Sequence, residues 1–154
     1  MDSDLRVNEK MLSFEKCHNE VQVIFVNQIG EGHSKTVQGA VDMVPDYNKH
    51  KVKIYIYLGI YRKKVYVPAS KPYISFVGKR NQTASAVITW NGNSFDKGAN
   101  GQALGTYNSA TVGVDLDYFC ATENSVIVVA SGKGMQVTLR VNGPRAMFYR
   151  VRIK

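Results

Sequence analysis

Residues 51–58 alternate strictly. Val52, Ile54, Ile56 and Leu58 fall on one side of an extended chain, and Lys51, Lys53, Tyr55 and Tyr57 on the other. A period of two commits this segment to a half-buried strand. It is accompanied by further short β-branched runs at 21–26 and near 64–67, 73–77, 85–90, 110–114, 125–130, 135–141 and 146–152. Turn residues separate most of them: Gly30-Glu31-Gly32, Gly59, Pro68, Lys71-Pro72, Gly78, Asn91-Gly92-Asn93, Gly98 to Gly101, Gly132 to Gly134, and Asn142-Gly143-Pro144.

A single helix interrupts this pattern. Val37, Ala40, Val41 and Val44 lie at i, i+3, i+4 and i+7, Thr36 or Ser34 can cap the first turn, and Pro45 stops it. The spacing predicts a helix over 36–44, short and weakened by Gly39, so packing must hold it. Many short strands with one helix make an all-β fold: a sandwich, a barrel or a β-solenoid. Glycine and asparagine loops of uneven length favour the solenoid, although no strict repeat period is visible.

A chain of 154 residues suits one domain, with a polar N-terminal extension at 1–20 and the folded domain at 21–154. No apolar stretch approaches the ~18 residues of a membrane span. The first residues lack the basic and apolar regions of a secretory signal. Two cysteines, Cys17 and Cys120, are too few for a disulfide scaffold or a thiolate cluster; they are either a pair or two small buried hydrophobes.

The net charge of +8 is unevenly spread. Residues 48–80 carry nine basic side chains and no acid, and residues 140–154 carry five and no acid. Such blocks favour a polyanion, whether acidic polysaccharide or nucleic acid, or else a solvated sheet face that resists edge pairing. No zinc-finger spacing, GXXG clamp or RRM aromatic signature supports nucleic acid.

Metal and serine chemistry find little support. His18, His33 and His50 are far apart and outside any ligand motif, and there is no GxSxG. Asp115 and Asp117, two apart, would face the same way on a strand and could form a carboxylate pair, or simply mark a solvated strand end. In 135–141, Met135, Val137, Leu139 and Val141 would point inward, leaving Gln136, Thr138 and Arg140 as a polar row. A glutamine amide there could donate to a developing oxyanion.

The order of segments resembles the plant pectinesterases, the pectin methylesterases. The likeness is carried by residues 32–45 (GHSKTVQGAVDMVP), 52–67 (VKIYIYLGIYRKKVYV), 70–78 (SKPYISFVG), 87–90 (VITW), 105–112 (GTYNSATV) and 136–149 (QVTLRVNGPRAMFY). It covers about residues 21–154. The resemblance implies a right-handed parallel β-helix of the pectin lyase-like kind, with the short N-terminal helix capping its first rung. It implies hydrolysis of galacturonate methyl esters in pectin to pectate and methanol, by an aspartate-based mechanism without metal or cofactor. Pectin is then the partner, to the exclusion of nucleic acid and membrane, and the cell wall the expected location, although this chain shows no signal peptide.

Carried over by resemblance, Gln136 matches an oxyanion and substrate-contacting glutamine, and Thr106 a substrate-binding threonine. Three departures stand out: Lys63 replaces the glutamate of a Gly-x-Tyr-x-Glu motif that keeps Gly59 and Tyr61; residues 123–129 (ENSVIVV) stand where the family has Asn-Ile-Thr-Phe-x-Asn-Thr, so that polar positions have become apolar; and Val137 and Thr138 replace two alanines of QAVAL. The general-acid and nucleophilic aspartates, the arginine and the stacking tryptophan belong to segments beyond Lys154. The expectation is therefore an incomplete β-helix, inactive alone, whose open C-terminal edge offers self-association. The alternative is a non-catalytic module that binds acidic pectin.

Overall fold

Alternation in the sequence becomes alternation in space. Val52, Ile54 and Ile56 are fully buried, while Lys53 and Tyr55 between them face outward and are only half-buried. The structure, a computed structural model, describes residues 22–78, 86–92, 94–122, 126–130 and 136–154.

The strands are β1 (Gln22–Val26), β2 (Val52–Ile56), β3 (Gly59–Arg62), β4 (Val65–Val67), β5 (Ile74–Gly78), β6 (Ala86–Trp90), β7 (Val112–Val114), β8 (Phe119–Thr122), β9 (Val126–Ala130), β10 (Leu139–Val141), β11 (Ala146–Tyr149) and β12 (Arg152–Ile153). They form three sheets, ordered β1-β2-β5-β8-β11, β3-β6-β9-β12 and β4-β7-β10. Every ladder pairing is parallel. From β2 onward the chain visits the first, second and third sheets in the same order on each circuit, so the molecule is a stack of coils.

Inward side chains from all three sheets meet in one core, which includes Ile24, Ile54, Ile56, Phe76, Ile88, Val112, Leu116 and Phe119. Burying each large aliphatic or aromatic side chain contributes roughly 1.5–3 kcal/mol. Phe76 and Phe119, on adjacent coils, meet edge to face with centroids 5.1 Å apart. β5 and β8 are buried on both faces. Cys120 of β8 is buried and disulfide-bonded. Cys17, like His18 and the extension at 1–20, lies outside the described residues.

Helix α1 (Val37–Asp42) forms where its periodicity places it. The Thr36 hydroxyl accepts the Gly39 N–H at 3.0 Å, as an N-cap should. Val37, Ala40, Val41 and the following Val44 are buried in the core, and the helix lies against β1, β2 and β4.

Other expectations shift. Leu58 is 44% exposed because β2 ends at Ile56 and the chain turns at Gly59. Tyr61 explains why a tyrosine follows Gly59: its hydroxyl donates to the Tyr57 carbonyl at 2.8 Å and approaches that of Val26 at 3.4 Å. The strand read at 135–141 is ladder only over β10, with Leu139 partly buried against the core and Val141 at its exposed margin. Met135 and the turn at 132–134 lie outside the described residues. The run at 146–152 is two strands, broken at Arg150 in the left-handed region at φ 55°. None of the described helices is long and apolar enough to cross a membrane.

Candidate functional site

The outer face of the third sheet gathers the polar chemistry. Tyr66 of β4, Gly113 of β7 and Arg140 of β10 lie in register across it. Gly113 leaves a notch, and the Arg140 guanidinium folds into it. A Cβ at Gly113 would sit 3.0 Å from Nη2 and 3.3 Å from Cζ of that arginine.

Arg140 binds both oxygens of Asp115, at 3.0 and 3.2 Å from Nη2, with only 12% and 16% of the two side chains exposed. Tyr66 donates its hydroxyl to Asp115 at 2.9 Å, and Asn142 donates to the same carboxylate at 3.0 Å and to the Tyr107 hydroxyl at 2.7 Å. The hydrogen bond to Asp115, followed by burial, pushes the Tyr66 phenol up. The guanidinium lies between two rings, its Cζ 3.6 Å from the Tyr107 centroid and 5.8 Å from that of Tyr66. A largely desolvated pair of this kind costs about 3–5 kcal/mol when one partner is removed.

Thr106 sits on α2 (Gly105–Asn108), a four-residue helix leading towards β7, entered through Gly105 at φ 68°. Its side chain is exposed. The Thr106 carbonyl accepts from the Ser109 hydroxyl at 3.0 Å, the Tyr107 carbonyl from Nη1 of Arg140 at 2.7 Å, and the Asn108 carbonyl from Lys64 Nζ. Burial, helped by the positive charge of Arg140, holds the Lys64 ammonium below the ordinary lysine value. Gln136 lies on the next coil. Thr111 N–H donates to the Val137 carbonyl at 2.9 Å and Val112 N–H to that of Thr138 at 3.1 Å, which stacks 136–138 over 109–111. Thr106 and Gln136 thus belong to neighbouring coils at the same margin of the third sheet, Gln136 half-buried.

Of the two readings of Asp115 and Asp117, the carboxylate pair does not form. β7 ends at Val114, so Asp115 and Asp117 are on no common strand. Asp115 joins Arg140, and Asp117 joins Arg145 in a separate ion pair. The Arg145 hydrogen bond holds Asp117 below the usual carboxylate range. Histidine chemistry is equally local. His33 stacks on Phe25 at 5.7 Å and accepts its N–H through Nδ1 at 2.9 Å, and His50 is exposed. Among the described residues no group of three His, Cys, Asp or Glu side chains could hold a metal ion.

The sequence singled out Asp115 and Arg140 but not the set they enter. Lys64, Tyr66, Tyr107 and Asn142 join Arg140 and Asp115 only because the coils stack. The available signal was that Tyr66 and Arg140 each occupy the outward middle position of a short strand.

Residues 23–154 match the family model described as Pectinesterase. Pectinesterase QRT1 of Arabidopsis thaliana is 51% identical over 140 residues, covering 88% of this chain and 37% of the relative. Among solved structures, pectin methylesterase from carrot superposes with a TM-score of 0.70 at 33% identity, over 83% of this chain and 38% of its own. A pectin methylesterase in complex with a hexasaccharide shares the fold, with a TM-score of 0.69 at 20% identity, over 86% of this chain and 42% of its own. The chain therefore spans less than half the length of these relatives. Its three parallel sheets and N-terminal helix agree with the carrot enzyme's architecture, and the chain belongs to the pectinesterase family.

Proposed function

We propose that residues 21–154 form coils of a right-handed parallel β-helix, capped by α1, that contribute to a groove for methyl-esterified pectin. Thr106 and Gln136 contact the galacturonate chain, and Gln136 donates to the oxyanion when the ester is attacked. The observation that carries this reading is their placement on neighbouring coils at one margin of the third sheet. The crystallised complex of a similarly folded pectin methylesterase with a hexasaccharide supports a saccharide ligand. The assembled activity is ester hydrolysis, giving pectate and methanol, in the cell wall.

These 154 residues by themselves bind and do not hydrolyse. A nucleophile and a general acid must both be free to approach the ester. Asp115 and Asp117 are engaged in two separate ion pairs and not with each other, which argues against their serving together as acid and nucleophile. The same engagement favours the second reading, a non-catalytic pectin-binding module. The margin formed by β11 and β12 carries Arg150, Arg152 and Lys154, cations that oppose edge pairing, so self-association there is expected only when they are screened.

Methanol release from highly methylated pectin by the purified chain tests the reading, alongside calorimetric titration with a methyl-esterified galacturonate hexamer. Background release with measurable binding, weakened in Gln136→Ala and Thr106→Val, is expected. Release well above background, abolished in Asp115→Asn, would overturn the assignment of roles.

A further inference from the structure

Helix α2 carries Thr106 and is held from its own side chains through Tyr107, whose hydroxyl accepts from Asn142 at 2.7 Å and whose ring meets the Arg140 guanidinium. Four residues are too few to be stable alone. Leu104 at its N-cap makes no side-chain hydrogen bond, and none of its residues is buried. Its last carbonyls would be orphans. Each is nevertheless taken, one by Ser109 and two by cations, which also suit the negative end of a helix.

The two cations come from opposite sides. Lys64 leads into β4 on the preceding coil, and Arg140 lies in β10 on the following one. Arg140 is itself aimed: Asp115 fixes Nη2, the Tyr107 ring covers the guanidinium face, and Gly113 leaves the space it occupies. A lysine could not reproduce this, because one ammonium on a flexible stem cannot serve a carbonyl, a carboxylate and a ring face together.

We infer that Arg140, aimed by Asp115, is a positioning residue that fixes Thr106 at the saccharide groove, with Lys64 as its counterpart from the other side. The ligand clause rests on the pectin reading above. Arg140 acts through the α2 backbone, not by touching the sugar.

The test uses the whole 154-residue chain. Binding of the methyl-esterified galacturonate hexamer is measured for the native protein, Thr106→Val, Arg140→Gln and the double variant, with amide exchange followed over residues 105–109. Each single variant is expected to weaken binding about tenfold, the loss of ~1.4 kcal/mol in a charge-assisted contact. The double variant should be no weaker than the poorer single one, because a displaced threonine has nothing left to lose. Exchange over 105–109 should quicken in Arg140→Gln and in Arg140→Lys. If Arg140→Gln does not fold, Asp115→Asn, which keeps the shape and loses the charge, takes its place with the same expectations. Independent losses that multiply, or unchanged exchange, overturn the inference. A native chain that binds no hexamer overturns the pectin reading instead; the exchange result then decides whether Arg140 positions α2.

Discussion

Tyr73 and Tyr118 stack ring on ring from adjacent coils, centroids 5.4 Å apart and planes 23° from parallel. Each immediately precedes a strand of the first sheet, and each has a left-handed backbone, at φ 65° and 61°. Arg145 extends the column, its Cζ 3.9 Å from the Tyr118 ring centroid. The side-chain stack holds a conformation that tyrosine otherwise disfavours.

Replacing Tyr73 should separate the two contributions. Tyr73→Ala loses the stack and keeps the strain, whereas Tyr73→Gly loses the stack and relieves it. The glycine variant is expected to be more stable than the alanine variant by about 1 kcal/mol in urea denaturation, against the usual order of the two residues. Equal stabilities would show that the turn carries no strain.

The cap of α1 is a second separable contribution. Thr36→Ala should destabilise the chain by about 1 kcal/mol, and Thr36→Ser should recover most of it, since only the hydroxyl oxygen is needed by the Gly39 N–H. Denaturation midpoints of the three proteins check this.

Gly143 is needed for space rather than for freedom. A Cβ there would lie 1.8 Å from the carbonyl oxygen of buried Leu116, a backbone atom that cannot rotate aside. Gly143→Ala should cost about 2 kcal/mol or more by forcing the coils apart. Gly101 is the converse case, with open space at its Cβ position but φ at 75°, so Gly101→Ala should cost about 1 kcal/mol through the backbone alone.

Alkaline unfolding should report Tyr61. Burial pushes its phenol from 10.0 up to about 12. The native state holds the proton where the unfolded chain releases it, so the stabilisation is complete below pH 10 and declines as pH rises towards about 12. Tyr66, also raised, contributes to the same decline. Tyr61→Phe should flatten the pH dependence in that window and cost about 1 kcal/mol at neutral pH. A Tyr61→Phe curve parallel to the native one would contradict this assignment.

The two-residue alternation at 52–56 and the 3.6-residue pattern at 37–44 were legible because each element has one buried face. β8 was not, since Phe119 to Thr122 are buried throughout and show no alternation. α2 was hidden for the opposite reason, burying nothing. The repeat was invisible because the coils differ in length: registered positions lie 22 residues apart at Val52 and Ile74, 45 at Ser75 and Cys120, and 27 at Phe119 and Ala146. Loops absorb the difference while the ladders stay aligned. Asp115 and Asp117 could share a face only on a strand running through both, and β7 ends at Val114.

A stack in which each coil touches only its neighbours tends to come apart one layer at a time. The grip of Lys64 and Arg140 on successive carbonyls of α2 changes that arithmetic. It ties the coil before and the coil after to the same four residues, although β4 and β10 pair only with β7 and not with each other. Three layers are thereby made into one cooperative block, and under a pulling force along the axis this block should yield in a single event while the remaining coils peel away singly.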